Sequence, residues 1–178
     1  MKNVLDYLEE TAMKYPTRVA VEDEHTSLTW AELVYRAKTI GASLCEKIHR
    51  QDAVAIVSEK STQTLVLMFG VLYAGGFYVI VDPTQPKERI QRIFSVLKPQ
   101  LIITEETLFS YESEQEEPWQ NLVGEIKLQK IREQSKPTDI LYGIFTSGST
   151  GMPKGITVSH GAVIDFITHF THTFGITK

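Results

Sequence analysis

Four short apolar runs constrain the fold of this chain more than any other feature. They are "AVAIV" at 53–57, "FYVIV" at 77–81, "LIIT" at 101–104 and "ILYGIF" at 140–145. Each is rich in β-branched or aromatic residues, and none alternates with polar ones. Runs of that length and texture fit strands covered on both faces, as parallel strands are. Helical patterns separate them. Val4, Leu5, Leu8, Ala12 and Met13 recur at helical spacing before Pro16. Leu33, Ala37, Ile40, Leu44 and Ile48 form a second stripe. Residues 62–74 read as a buried helix that Gly75 and Gly76 stop. Pro86 opens a helix with Ile90, Ile93 and Leu97 on its core face, and Pro99 follows it. "RVAVED" at 18–23 reads as a further short strand. Strands alternating with helices predict an α/β fold, a mostly parallel sheet flanked by helices.

Local signals refine the boundaries. "TSLTWAEL" at 26–33 is expected to open the second helix, with Thr29 as its cap and Glu32 completing a capping box. "GITVS" at 155–159 predicts a strand, and Ser159 caps a last helix whose apolar face is Val163, Ile167, Phe170 and Phe174. Residues 105–138 break the pattern. "EETLFSYESEQEEPW" at 105–119 holds six glutamates and little periodicity, and it reads as a solvated surface excursion.

Composition narrows the function classes. The chain has 178 residues, enough for one domain or a large part of one, and a net charge of −4. No basic patch of the kind that holds nucleic acid or anionic lipid stands out, so neither partner is expected. Cys45 is the single cysteine, which excludes an internal disulfide and a CxxC zinc site. A reducing cytoplasm suits that usage. The N-terminal residues are charged throughout and do not resemble a signal peptide. "LVLMFGVLYAGGFYVIV" at 65–81 comes nearest to a membrane span, but Gly75-Gly76 divides it into a helix and a strand.

The chemistry concentrates in "FTSGSTGMPKG" at 145–155. Glycines let backbone N–H groups come close to a ligand and form an anion-binding concavity. Thr146, Ser147, Ser149 and Thr150 add hydroxyl donors, and Lys154 adds a mobile positive charge. This combination suits a polyphosphate. It is not a Walker A loop, which needs GxxxxGK, then Ser or Thr, leading into a helix. Here Gly148 and Gly151 are three apart, Pro153 precedes Lys154, Gly155 follows it, and the next element reads as a strand.

"TSGSTGMPKG" resembles the signature TSGSTGxPKG of the adenylate-forming superfamily, which includes acyl-CoA synthetases, luciferases and peptide-synthetase adenylation domains. Other segments agree in order. "LTWAEL" at 28–33 is similar to LTYxEL, "LYAGGFYVIVDPTQPKERI" at 72–90 to LKAGGAYVPIDPxYPxERI, and "VSHGAV" at 158–163 to VSHxxL. The second of these resembles the amino-acid-activating members, meaning peptide-synthetase adenylation domains or D-alanine–carrier protein ligases. Ile80 stands where the family has proline and Gln85 where it has tyrosine.

The resemblance implies activation of a carboxylate by ATP as an acyl-adenylate, with release of pyrophosphate. Transfer to the thiol of a phosphopantetheine arm, on a carrier protein or coenzyme A, then follows. It assigns nucleotide binding to Thr146, Ser147, Gly148, Ser149, Thr150, Gly151, Lys154 and Gly155, in a loop expected to close on ATP. It implies Mg2+ as well as ATP. The family's substrate segment, its adenine- and magnesium-binding motif, its ribose-binding aspartate and its lid lysine lie downstream of this loop, and residues 161–178 contain none of them. Residues 1–178 are therefore expected to be the N-terminal portion of an AMP-binding adenylation domain, inactive alone and without a certain catalytic residue. The alternative is a non-catalytic module that retains the fold for assembly. A sheet left partly uncovered would also favour self-association.

Other candidates carry less. His169 and His172 sit three apart on the last helix but lack further ligands. His160, beside a helix cap, is expected to make a local hydrogen bond. Asp139 is expected to end a turn, Cys45 to pack against the core, and Asp82 to pair with Arg89. Trp30 and Trp119 have no evident stacking partner.

Overall fold

The computed structural model describes residues 3–104, 122–146 and 152–176. The four apolar runs form the centre of a five-stranded sheet. β3 (Ala53–Val57), β4 (Phe77–Val81), β5 (Leu101–Thr104) and β6 (Ile140–Thr146) are joined by β7 (Lys154–Ser159). The spatial order is β5-β3-β4-β6-β7. The first four strands run parallel, and β7 returns antiparallel beside β6. The α/β class and the mostly parallel sheet agree with the sequence reading. β7 is antiparallel because only a short loop joins it to β6, and a parallel strand needs a longer crossover.

Helices cover the sheet. α1 (Val4–Lys14), α2 (Trp30–Leu44) and α3 (Thr62–Tyr73) share one core. There Leu5, Leu33, Ala37, Ile40, Leu44, Val66 and Val71 are sealed against Val54, Ile56 and Ile103. α4 (Lys87–Leu97) packs on the opposite face, where Ile93 meets Phe77, Val79 and Val81. Alternation along β4 explains the split, because Phe77, Val79 and Val81 point one way and Tyr78 the other. The Asn3 carboxamide and the Asp6 carboxylate cap α1 reciprocally. Thr29 and Glu32 cap α2 in the same way, as the sequence predicts. Ser61 caps α3, and Gly75 turns the chain after it at φ 84°.

Three expectations need correction. Ser27–Thr29 is not part of the helix start. It is a strand, β2, paired antiparallel with β1 (Val19–Glu22). Thr29 ends that strand and caps α2 at once, so the capping signal concealed the strand before it. Residues 105–138 are not all excursion, because α5 (Leu122–Gln134) is helical and buries Leu128 against α2. Its other turns are charged, which left too thin an apolar stripe to read. Residues 105–121, including Trp119, lie outside the described residues. Asp82 does not pair with Arg89. Its carboxylate accepts from the Thr84 amide and hydroxyl, while Arg89 Nε donates to Gln85 Oε1 at 2.7 Å. Near bonds within the turn outcompete the longer ion pair, and the unusual Gln85 supplies one of them.

Candidate functional site

Thr146 ends β6 and Lys154 begins β7, and the two face each other as the last pair of the ladder. The chain between them is the glycine-rich loop, a hairpin connection at the carboxyl end of a parallel strand. Open α/β sheets bind ligands at that edge. Ser147, Gly148, Ser149, Thr150 and Gly151 lie outside the described residues. The described flanks fix where the loop begins and ends. Pro153 is buried, whereas Lys154 is exposed, so its ammonium reaches solvent at the sheet's rim. Gly155 sits opposite Phe145, and a Cβ there would come within 3.2 Å of the Phe145 ring. A side chain at 155 would push that ring or the hairpin aside. The element after the loop is a strand, as predicted, which is the feature that excludes a Walker A arrangement.

The opposite end of the same hairpin is tied down by a buried polar cluster. Asp139, just before β6, is buried and bonded to Arg50, with Arg50 Nε 3.1 Å from Asp139 Oδ2 and Arg50 Nη2 on Asp139 Oδ1. It also accepts from the Lys136 amide at 3.0 Å. Asp139 therefore does more than end a turn. Gln51 exchanges two hydrogen bonds with the Ile140 backbone, extending the strand ladder with a side chain. His160, the first residue of α6 (His160–Thr173), is buried. Its amide donates to the Asp139 carbonyl at 3.0 Å, and its Nδ1 accepts from the Val4 amide at 3.2 Å. The bond expected to be local thus spans almost the whole chain. Burial holds the His160 imidazole down at about 4; Arg132 adds to this, and Asp139 and Asp6 oppose it. The ring is neutral at physiological pH, as an accepting Nδ1 requires.

Around this cluster, Arg132 of α5 donates to Asp6 at 2.6 Å and to Glu9 at 3.3 Å. A small cavity among Asn3, Arg50, Arg132, Ser135, Asp139 and His160 has room for about one water, at roughly 10 Å³. The sequence reading missed Arg50, Gln51 and Arg132. Each acts on a residue far away in sequence, and nothing local marks them.

The remaining candidates resolve simply. Cys45 follows α2 and packs beside the core, where burial raises its thiol pKa. Trp30 packs partly against the same core. His169 and His172 are exposed, and among the described residues no three His, Cys, Asp or Glu side chains gather to hold a metal. Among the described residues no helix is long and apolar enough to cross a membrane.

The model of the AMP-binding enzyme family matches residues 8–178. The chain belongs to that family. It is 33% identical to Gramicidin S synthase 1 of Brevibacillus brevis over 184 residues, which cover 99% of this chain and 17% of that protein. It is 30% identical to Tyrocidine synthase 1 of Brevibacillus parabrevis over 184 residues, again covering 99% of this chain and 17% of that one. Among solved structures, a fatty acyl-adenylate ligase from L. pneumophila in complex with acyl adenylate and pyrophosphate aligns at TM-score 0.75 and 25% identity. That alignment covers 99% of this chain and 34% of the ligase. The chain therefore spans a minor part of the length of the proteins it matches.

Proposed function

We propose that this chain forms the phosphate-gripping part of an enzyme that activates a carboxylate, an amino acid by the form of residues 72–90, as its adenylate. The carboxylate attacks the α-phosphorus of ATP in line, the bond to the β-phosphate oxygen breaks, and pyrophosphate leaves. The charge that develops on the leaving group needs nearby donors. The observation that carries this reading is the exposed Lys154 facing Thr146 across the hairpin at the carboxyl end of β6. Thr146 to Gly151 wrap the β- and γ-phosphates, Lys154 neutralises them, and Gly155 keeps the strand close to Phe145. A solved ligase of similar fold holds acyl adenylate and pyrophosphate, which supports the assignment. Magnesium, when bound, would supply further charge neutralisation, through a ligand expected outside these residues. In the whole enzyme a carrier-protein phosphopantetheine thiol or coenzyme A then attacks the acyl carbonyl, the acyl–phosphate bond breaks, and AMP leaves.

The test is pyrophosphate exchange with a panel of amino acids, in a polypeptide that includes the rest of the adenylation domain. Lys154→Ala should lower exchange by about 100-fold, the scale of losing one electrostatic donor. Unchanged kinetics would remove the role. The 178-residue chain by itself should give no exchange, and robust turnover would refute that. A second reading, an assembly module that keeps the fold without catalysis, is favoured by one observation, an apolar groove over β4, β6 and β7 that the described residues leave open. No exchange by the longer polypeptide with any carboxylate would favour it.

A further inference from the structure

Register is the property of β6 that its own pattern leaves open. Residues 140–145 are apolar or aromatic apart from Gly143, so a one-residue slip exchanges like for like on both faces. The consequence at the rim is large, because a slip turns Thr146 to the other face and takes it out of its pairing with Lys154. The ladder to β4 is short: it pairs Tyr78 with Tyr142 and Val79 with Gly143. Continued toward the start of β6, it would set Ile140 level with Gly76, whose amide already donates to the Val71 carbonyl at 3.1 Å. On the β7 side the register shifts between Ile140 and Tyr142. The start of β6 is held instead by the turn between α2 and β3. The Ile140 amide donates to Gln51 Oε1 at 2.6 Å, and Gln51 Nε2 donates to the Ile140 carbonyl at 3.3 Å. One carboxamide thus meets both polar groups of one residue, as a neighbouring strand would.

We infer that Gln51 is a positioning residue, which fixes the register of β6 and so sets where Thr146 and Lys154 stand for the phosphates. The inference rests on the phosphate-gripping reading above. Gln51 sits at φ 67°, in the left-handed region that favours glycine. Glycine would suit that backbone better but would lack the carboxamide. The turn that carries Gln51 is itself tied down, because the Gln51 amide donates to the Gly75 carbonyl at 2.8 Å. Arg50 beside it holds Asp139, the residue before Ile140. Two consecutive residues of one turn therefore grip two consecutive residues at the start of β6, which fixes the strand's direction as well as its register. Thr146 lies six residues beyond Ile140, roughly 20 Å along the strand, so Gln51 acts on the phosphates only through β6. Gly143 marks the register a second time at mid-strand, where a Cβ would lie 3.0 Å from Val79 Cγ2.

Gln51→Gly, made in a polypeptide that includes the rest of the adenylation domain, tests this. Glycine relieves the left-handed backbone while removing the carboxamide, and the two effects on stability oppose each other. The denaturation midpoint should move little. In pyrophosphate exchange, kcat/KM for ATP should fall by at least about tenfold, with KM for ATP raised and KM for the amino acid unchanged. A smaller folded fraction would lower the rate and move neither KM. The amides of β6 should exchange with solvent faster than in the unmodified domain, and those of β3 should not. Added to Lys154→Ala, Gln51→Gly should cost less than it does alone, because both act on one site. Gln51→Glu keeps the acceptor for the Ile140 amide and loses the donor, so its effect should be intermediate, and it carries the test if the glycine variant does not fold. Unchanged kinetics, unchanged β6 exchange, or full multiplication with Lys154→Ala would each overturn the inference and leave the phosphate-gripping reading standing. An unmodified domain that exchanges no pyrophosphate would instead fail that reading, and this inference with it.

Discussion

His160 keeps its bond to the Val4 amide only while its ring is neutral, because a protonated Nδ1 cannot accept. The folded imidazole titrates at about 4 and the free one near 6.5. Between those values the unfolded chain takes up a proton that the folded chain refuses. Stability is therefore complete above about pH 6.5, falls as pH drops toward 4, and levels off below that for this group. The loss across the window should be on the order of 3 kcal/mol. Urea melts at about pH 7 and about pH 5 should show it, and His160→Gln should flatten the slope. Asp139 makes a second prediction. Asp139→Ala takes their shared acceptor from the exposed Arg50 guanidinium and from the Lys136 amide. The expected cost is about 1–3 kcal/mol in chemical denaturation, and no measurable change would mean that solvent replaces the carboxylate.

The tightest approach between elements is α2 on α3, and two glycines permit it. A Cβ at Gly41 would lie 2.6 Å from Tyr73 Cβ, and one at Gly70 would lie 2.6 Å from Ile40 Cγ2. Ile40 is β-branched and sealed in the core, so it cannot rotate away. Gly70→Ala gains up to ~1 kcal/mol of helix propensity, yet it should be net destabilising by about 1–3 kcal/mol through overpacking. A rise in the denaturation midpoint would show that the helices can separate. Thr29→Ala should cost about 1 kcal/mol, because the hydroxyl accepts from the Glu32 amide and donates to its carboxylate. Caps of this kind are legible in sequence because both partners lie within one turn. The same locality hid β2, whose pairing with β1 leaves no periodic signal in three residues.

Across the whole molecule, legibility followed the distance over which each effect acts. Sequence determined the strands other than β2, the caps at Thr29 and Ser159, the loop between Thr146 and Lys154, and the α/β class, because apolar period and turn chemistry act over a few residues. The resemblance to adenylate-forming enzymes rested on the same short-range identities. Only the tertiary structure decided the strand order, the placement of α5, and the cluster that draws Val4, Arg50, Asp139 and His160 together across as many as 156 positions. It also decided that, of the apolar face read on α6, Val163 and Ile167 are half-buried while Phe170 and Phe174, with Phe166 beside them, are left exposed by the described residues. A hydrophobic stripe in a sequence encodes a demand for cover. Whether anything supplies that cover depends on what the rest of the chain places beside it, and here the ridge of Phe166, Phe170 and Phe174 meets no described partner.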